Sequence, residues 1–252
     1  MLLQVKDVYK SYSKIGLTKG KDKLNVLQGI SFSVKKGDCV GLIGESGSGK
    51  STLSRLILGL EKANSGSITI EGQPVKKWIK ENQGQMSVVF QDYTSSANPR
   101  FTIKEVIAEP LIALGKNDKT QEKVKELLDR VGLSASLMDR YPHELSGGQL
   151  QRVCIARAIS TRPRFMVLDE AISSLDVSIQ AQILELLRDL KRDLDMTYLF
   201  IAHDLQAVAS LCDEVLFLYK GKIVESISSN NLANAKNEYA QKLLNSVISF
   251  SV

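Results

Sequence analysis

Gly44-Glu45-Ser46-Gly47-Ser48-Gly49-Lys50-Ser51 decides how this chain is read. The octet has the pattern G-x-x-x-x-G-K-[ST] and follows directly on Val40-Gly41-Leu42-Ile43, an apolar run that reads as a buried strand. Glycines at this spacing let successive backbone N–H groups turn into one concavity. The helix beginning beyond them, with Thr52 in its first turn, adds the positive end of its dipole. In that setting Lys50 brings a point charge to the β- and γ-phosphates of a nucleotide, and the Ser51 hydroxyl is a ligand for Mg²⁺. A strand, a glycine-rich loop and a helix in this order predict a nucleotide phosphate site.

On either side of the octet the chain alternates as an α/β protein should. Leu3, Val5 and Val8 and then Ile30, Phe32 and Val34 show strand periodicity, with Lys35-Lys36-Gly37-Asp38 as the turn before the phosphate-loop strand. A helix is predicted over Thr52 to Leu60, and Ser65 to Gly72 reads as turn, strand, turn, so an antiparallel β layer is expected beside a mostly parallel sheet. From Gln91 to Thr161 the pattern turns helical: Val124, Leu127, Leu128 and Val131 recur at i, i+3, i+4 and i+7, and Gly132 stands where a C-cap belongs. Sheet texture returns at Phe165 to Leu168 and at Tyr198 to Ala202, separated by a helix with Ile183, Leu186, Leu187, Leu190 and Leu194 on one face. Lys220-Gly221 is the predicted turn of a hairpin between Glu214–Tyr219 and Lys222–Val224. Short helices are expected from Asn230 to Val247.

The strand Phe165 to Leu168 runs into Asp169-Glu170, two carboxylates at the carboxyl edge of a sheet, where ligands of open α/β folds gather. Asp169 suits Mg²⁺, directly or through water. Adjacent residues of a strand point to opposite faces, so one of the two acids could instead cap a helix. Ser146-Gly147-Gly148 is a second bare-backbone helix start, leading through Arg152, Ala156 and Ile159; taken alone it is also what a plain helix N-cap looks like.

Composition bounds the rest. The 252 residues are 24% charged and 43% hydrophobic, which fits a globular chain with a substantial core, and no apolar run approaches a membrane span of roughly 18 residues. The start, Met-Leu-Leu-Gln-Val-Lys-Asp, reads as a strand and lacks a signal-peptide pattern, which predicts cytoplasmic residence. The net charge of +5 is dispersed among acids, except over Lys14 to Lys23, where a solvated loop or a contact with lipid headgroups is expected; nucleic acid is not expected as a partner. Cys39, Cys154 and Cys212 are scattered without a Cys-x-x-Cys pair, which argues against a zinc site or a disulfide framework.

Leu145-Ser146-Gly147-Gly148-Gln149, followed by Leu-Gln-Arg, resembles the signature of the ATP-binding cassette (ABC) ATPases, and together with the phosphate loop it places the likeness over about residues 2 to 245. The resemblance implies a P-loop NTPase of RecA-like fold. Its α/β core would span 1–90 and 162–228 with the antiparallel layer, its inserted helical signature subdomain 91–161, and a C-terminal helical extension 229–252, all in one cassette domain. It implies ATP and Mg²⁺ as cofactors. Lys50 and the loop residues Gly44, Glu45, Ser46, Gly47, Ser48, Gly49, Ser51 and Thr52 would hold the phosphates, with Ser51, Gln91 and Asp169 on the metal. Glu170 would polarise or deprotonate the attacking water, His203 would act as the switch histidine at the γ-phosphate, and Gln91 would report its occupancy. Tyr12, with Tyr9 as competitor, would stack on adenine. Ser146, Gly147, Gly148 and Gln149 would cover the γ-phosphate bound to a partner cassette.

Ala171-Ile172 departs from the family pattern, where Pro-Thr is usual, and Tyr93 stands where the family's oligopeptide, dipeptide and nickel importers often have Pro. Gln91 to Thr102, Ile107 to Leu111 and Asn237 to Leu244 look like the oligopeptide, dipeptide and nickel importers, and within them the shorter nickel-import ATP-binding subunits. That likeness implies an ATPase driving import of nickel, another metal, a metal–chelator complex or small peptides. It also implies a related ATPase subunit as dimer partner, two membrane-spanning permease subunits, indirect dealings with an extracytoplasmic solute-binding protein, and a peripheral place on the cytoplasmic face of the cell membrane. Exporter ATPases and regulatory ATP-binding modules share these motifs and are the rival classes.

Overall fold

Strands form where the sequence either alternates or stays apolar, and helices where the apolar spacing widens. A computed structural model gives the elements in chain order for residues 1–13, 23–116 and 120–248, so the Lys14 to Lys23 segment, apart from Lys23 itself, lies outside the described residues. They are β1 (Leu3–Ser13), β2 (Lys23–Val34), β3 (Cys39–Ile43), α1 (Lys50–Ile57), β4 (Ser65–Ile70), β5 (Gln73–Pro74) and α2 (Val75–Glu81). Then come β6 (Met86–Phe90), α3 (Tyr93–Ser96), α4 (Ile103–Ala113), α5 (Thr120–Arg130), α6 (Gly147–Ile159), β7 (Phe165–Asp169) and α7 (Val177–Asp193). The chain finishes with β8 (Thr197–Ala202), α8 (Leu205–Leu211), β9 (Glu214–Tyr219), β10 (Lys222–Ser228) and α9 (Glu238–Ile248). It divides into two compact units, Met1–Glu81 with Leu199–Val252, and Asn82–Tyr198.

The first unit holds the antiparallel layer, strand order β2-β1-β4-β5. It also holds β10-β9-β3-β8, in which β3 runs parallel to β9 and β10 returns antiparallel. Every residue of β3 is buried, which is why it reads as an unbroken apolar run with no alternation. The β9–β10 turn puts both Lys220 (φ 46°) and Gly221 (φ 78°) in the left-handed region, as a two-residue hairpin turn matched to strand twist demands. Gly41 is compelled by packing: a Cβ there would lie 2.3 Å from the Val208 side chain on α8. Cys39 and Cys212, 173 positions apart, bring their sulfurs to 3.3 Å in the interior of this unit without forming a disulfide.

In the second unit β6 and β7 pair in parallel, in the register Met86↔Phe165 to Phe90↔Asp169, and the start of β8 joins through the Thr197 N–H donated to the Arg164 carbonyl at 3.0 Å. The helical stretch 91–161 lies within this unit. Ile103, Val106 and Ile107 of α4, Val124 and Leu128 of α5, and Val153 and Ile155 of α6 are fully or almost fully buried. Each such side chain contributes roughly 1.5–3 kcal/mol. Gly132, with φ 70°, ends α5 as a left-handed cap, its N–H bonding the Asp129 carbonyl. Cys154 is buried, which pushes its thiol up to about 11 and keeps it an inert, protonated packing group.

Candidate functional site

The phosphate loop lies in the first unit, between β3 and α1. Gly49 is left-handed (φ 113°), so the chain enters α1 at Lys50, two residues before the position the sequence pattern suggested, and no side chain caps that helix start. A helix start without a side-chain cap offers its backbone N–H groups to an anion. The loop is glycine-bound where the chain is crowded: a Cβ on Gly44 would stand 2.3 Å from the Leu218 carbonyl oxygen, and one on Gly49 2.7 Å from the Leu27 side chain. Gly47 (φ 78°) faces open space, where a Cβ would meet nothing within 4 Å. Ser48 is buried, yet its hydroxyl has no hydrogen-bond partner, an orphaned polar atom inside the loop. Lys50 is 5% exposed and donates its ammonium to the carbonyls of Gly44 (2.7 Å) and Glu45 (3.2 Å). An open glycine side, an unsatisfied buried hydroxyl and a buried cation resting on loop carbonyls fit a polyphosphate. Ser51 is exposed at the head of the helix and Thr52 is buried in its first turn.

His203 also belongs to this unit. It is exposed in the short step between β8 and α8, just before Asp204, whose carboxylate accepts the N–H groups of Gln206 (2.8 Å) and Ala207 (3.4 Å) and so fixes the start of α8. Tyr12, half-buried on β1, donates its hydroxyl to Glu61 at 2.6 Å while the Lys10 ammonium sits 4.9 Å from its ring centroid. That hydroxyl, with Lys10 and Arg55 beside it, holds the Glu61 carboxyl at about 2. Tyr9 is 43% exposed on the same strand.

The second unit gathers the carboxylates, the glutamine and the signature. Phe90 and Asp169 are register partners at the end of the β6–β7 pair, so Gln91 and Glu170 are the residues that follow at the same end of two neighbouring strands. Strand alternation does not govern Glu170: β7 stops at Asp169, and Glu170 takes φ 50°, a left-handed conformation that costs roughly 1–3 kcal/mol in a residue with a β-carbon. The turn is held by the Ser173 N–H and hydroxyl, which both donate to the Glu170 carbonyl at 3.1 and 3.0 Å. It is also held by Gln151 of α6, fully buried, whose amide donates to the Ala171 carbonyl. Asp92 caps α3 and is kept at about 2 by the Thr94 hydroxyl and the Ser95 N–H.

Ser146 is the N-cap of α6 in a reciprocal capping box: its hydroxyl accepts the Gln149 N–H at 3.3 Å and the Gln149 side chain accepts the Ser146 N–H at 3.0 Å. Ser146 and Gly147 are exposed. The two glycines are required by neighbours, since a Cβ on Gly147 would lie 2.7 Å from the Tyr93 hydroxyl and one on Gly148 2.9 Å from Ile179. Tyr93, the departure noted in the sequence, therefore packs against the signature turn. The main chain of α3 is fastened to the signature helix through the Cys154 thiol and the Arg157 guanidinium, which reach the Tyr93 and Ser96 carbonyls.

Gln151, and the packing of Tyr93 against the signature turn, escaped the sequence reading. Nothing in a lone amide or ring announces a partner 20 or more positions away. Among the described residues no group of three or more His, Cys, Asp or Glu side chains is arranged to hold a metal, and no helix is long and apolar enough to cross a membrane.

A buried strand, a glycine-lined loop with a buried lysine and a capped helix start on a second glycine turn define a P-loop NTPase with α/β architecture. The ABC transporter family model matches residues 27–173. The metal-staphylopine import system ATP-binding protein CntF of Staphylococcus aureus is 44% identical over 251 residues, covering 99% of this chain and 100% of its own length. The oligopeptide transport ATP-binding protein AppF of Bacillus subtilis is 42% identical over 256 residues, covering 98% of this chain and 78% of its own. Of solved structures, the dimeric post-hydrolysis state of the ATP-binding cassette MJ0796, bound to ADP and Pi, superposes with a TM-score of 0.78 at 26% identity, over 90% of this chain and 99% of that one. The cbiO1 protein of Clostridium perfringens, part of the ABC transporter complex cbiONQ, gives 0.78 at 27% identity, over 96% and 94%. The chain belongs to the ABC transporter family, as one of its ATP-binding, ATP-hydrolysing subunits.

Proposed function

We propose that this subunit hydrolyses ATP to drive import of a metal, carried as a complex with a small chelator, through a pair of membrane-spanning permease subunits at the cytoplasmic face of the membrane. The observation that carries the solute class is the 44% identity over 251 residues with the metal-staphylopine import protein. The 42% identity over 256 residues with the oligopeptide protein supports small peptides as the second reading. The dimeric form of the MJ0796 cassette supports a second ATPase subunit as partner, homologous or identical.

In this reading Lys50 exchanges its hold on the Gly44 and Glu45 carbonyls for β- and γ-phosphate oxygens, while the loop N–H groups and the Ser48 hydroxyl take up the remaining charge. Ser51, Gln91 and Asp169 offer a hydroxyl, an amide oxygen and a carboxylate. Such a sparse set of hard oxygen donors suits Mg²⁺, which keeps water and phosphate oxygens for its other positions. That ion, when bound, neutralises charge on the β- and γ-phosphates. Glu170 accepts a proton from the attacking water or polarises it. His203 orders the γ-phosphate, Gln91 follows its presence, and Tyr12, or Tyr9, stacks on the adenine. The signature turn, Ser146 to Gln149, closes over the γ-phosphate held by the partner subunit, so that water is excluded only in the assembled pair.

The test is uptake in cells with and without this subunit, comparing labelled nickel supplied with staphylopine, labelled nickel alone and a labelled tripeptide. Loss confined to the chelated metal is expected. Loss confined to the peptide would replace this reading with the second.

A further inference from the structure

We propose that Tyr239, on the C-terminal helix α9, is a positioning residue for the phosphate loop, acting through one peptide group. Its hydroxyl oxygen accepts the Glu45 N–H at 2.9 Å. The carbonyl of that same peptide group belongs to Gly44 and is the acceptor of the Lys50 ammonium at 2.7 Å. A trans peptide is planar, with its N–H and C=O pointing to opposite sides, so fixing one end fixes the other. The phenol thus orients the carbonyl on which the nucleotide-binding lysine rests, and hydrogen bonds in such a chain polarise and strengthen one another.

The tyrosine is itself held firmly. It is 8% exposed, and its ring stacks on Tyr219, the last residue of β9, with centroids 4.3 Å apart. The carbonyl of Leu218, one residue earlier on β9, is the group that leaves no room for a side chain on Gly44. Consecutive loop residues are therefore confined by neighbours on the same strand end, Gly44 by β9 directly and Glu45 by the ring stacked on it. The start of α9 is fastened to β10: Glu225 accepts the N–H groups of Lys236 (2.8 Å) and Asn237 (2.9 Å), and the Asn237 side chain accepts the Tyr239 N–H at 3.0 Å. Burial raises the phenol's pKa, so it stays protonated at physiological pH.

The inference rests on the phosphate loop being the ATP site, and the experiment separates the two. ATP affinity of the full chain is measured for the wild type, Tyr239→Phe and Tyr219→Leu, with thermal midpoints and amide hydrogen exchange of Glu45 alongside. Tyr239→Phe keeps the ring and loses only the hydroxyl; it is expected to weaken ATP binding by about three- to tenfold, the usual range for one net hydrogen bond, and to speed exchange of the Glu45 amide at an unchanged midpoint. Tyr219→Leu removes the stacking and leaves the hydroxyl, and is expected to change affinity less. A Tyr239→Phe chain that binds ATP as the wild type does, within about twofold, would overturn the proposal. So would a wild-type Glu45 amide that exchanges as fast as an exposed loop amide, a measurement that holds even if the variant fails to fold. A wild-type chain that binds no ATP would instead sink the nucleotide reading, and Glu45 exchange would then decide the hydrogen bond by itself.

Discussion

The two glycine-rich helix starts of this chain, Gly44–Ser51 and Ser146–Gln149, have similar compositions and opposite internal states. The phosphate loop leaves a buried polar group unmet. The helix has no side-chain cap, the buried Ser48 hydroxyl has no partner, and the Lys50 ammonium rests on loop carbonyls. In the signature turn the reciprocal bonds of Ser146 and Gln149 meet the local needs, and its glycines answer to Tyr93 and Ile179. Glycine richness alone says little. What separates a cradle waiting for an anion from a finished helix start is whether the groups it presents are already satisfied, since an unmet buried polar group favours a ligand that meets it. In the function proposed above, the first region holds a nucleotide by itself and the second acts on one presented to it.

That division is tested most severely by Glu170→Gln in the second unit. Binding of ATP should persist while phosphate release by the assembled pair falls about a hundredfold or more, the usual contribution of a general base; near-normal turnover would reject the assignment. Ser146→Arg comes next: ATP affinity of the isolated subunit should be spared and the hydrolysis of the pair reduced to background. Reduced affinity in the isolated subunit would mean that the two regions are not separable in this way.

A gentler change probes the satisfied helix start directly. Ser146→Ala removes one half of the capping box and should cost about 1 kcal/mol in denaturant unfolding without altering ATP binding by the isolated chain. The smallest effect concerns acid stability in the first region. Glu61 is held at about 2 against an ordinary 4.5, so the stability it contributes is fully present above pH 4.5 and is lost as pH falls towards 2. Unfolding of the wild type and of Glu61→Gln should therefore differ at neutral pH and converge near the acid end; a gap that persists there would point to packing as the cause.

Much of the fold was legible because the signals are local. Continuous apolar runs marked β3, β7 and β8, since a strand buried on both faces needs no polar alternation. Lys220-Gly221 gave the hairpin, because few residues tolerate the left-handed conformations that turn requires. Other readings shifted where local rules met a backbone exception. The first helix begins at Lys50 and not Thr52 because Gly49 turns left-handed, and the alternation argument for Asp169 and Glu170 lapses because the strand has ended. The cysteines read as scattered include two whose sulfurs lie 3.3 Å apart.

Chemistry was already written in the linear chain: which residues carry charge, which can turn without a β-carbon, and which stretches must be buried. These properties depend on side-chain type and near neighbours, and so survive being read one residue after another. Who restrains whom came from the folded arrangement and nowhere else: Tyr239 on the amide of Glu45 across 194 positions, and Gln151 on the carbonyl of Ala171 across 20. A hydrogen bond has no range along the sequence, only in space, so such partners become visible only once the chain has closed on itself.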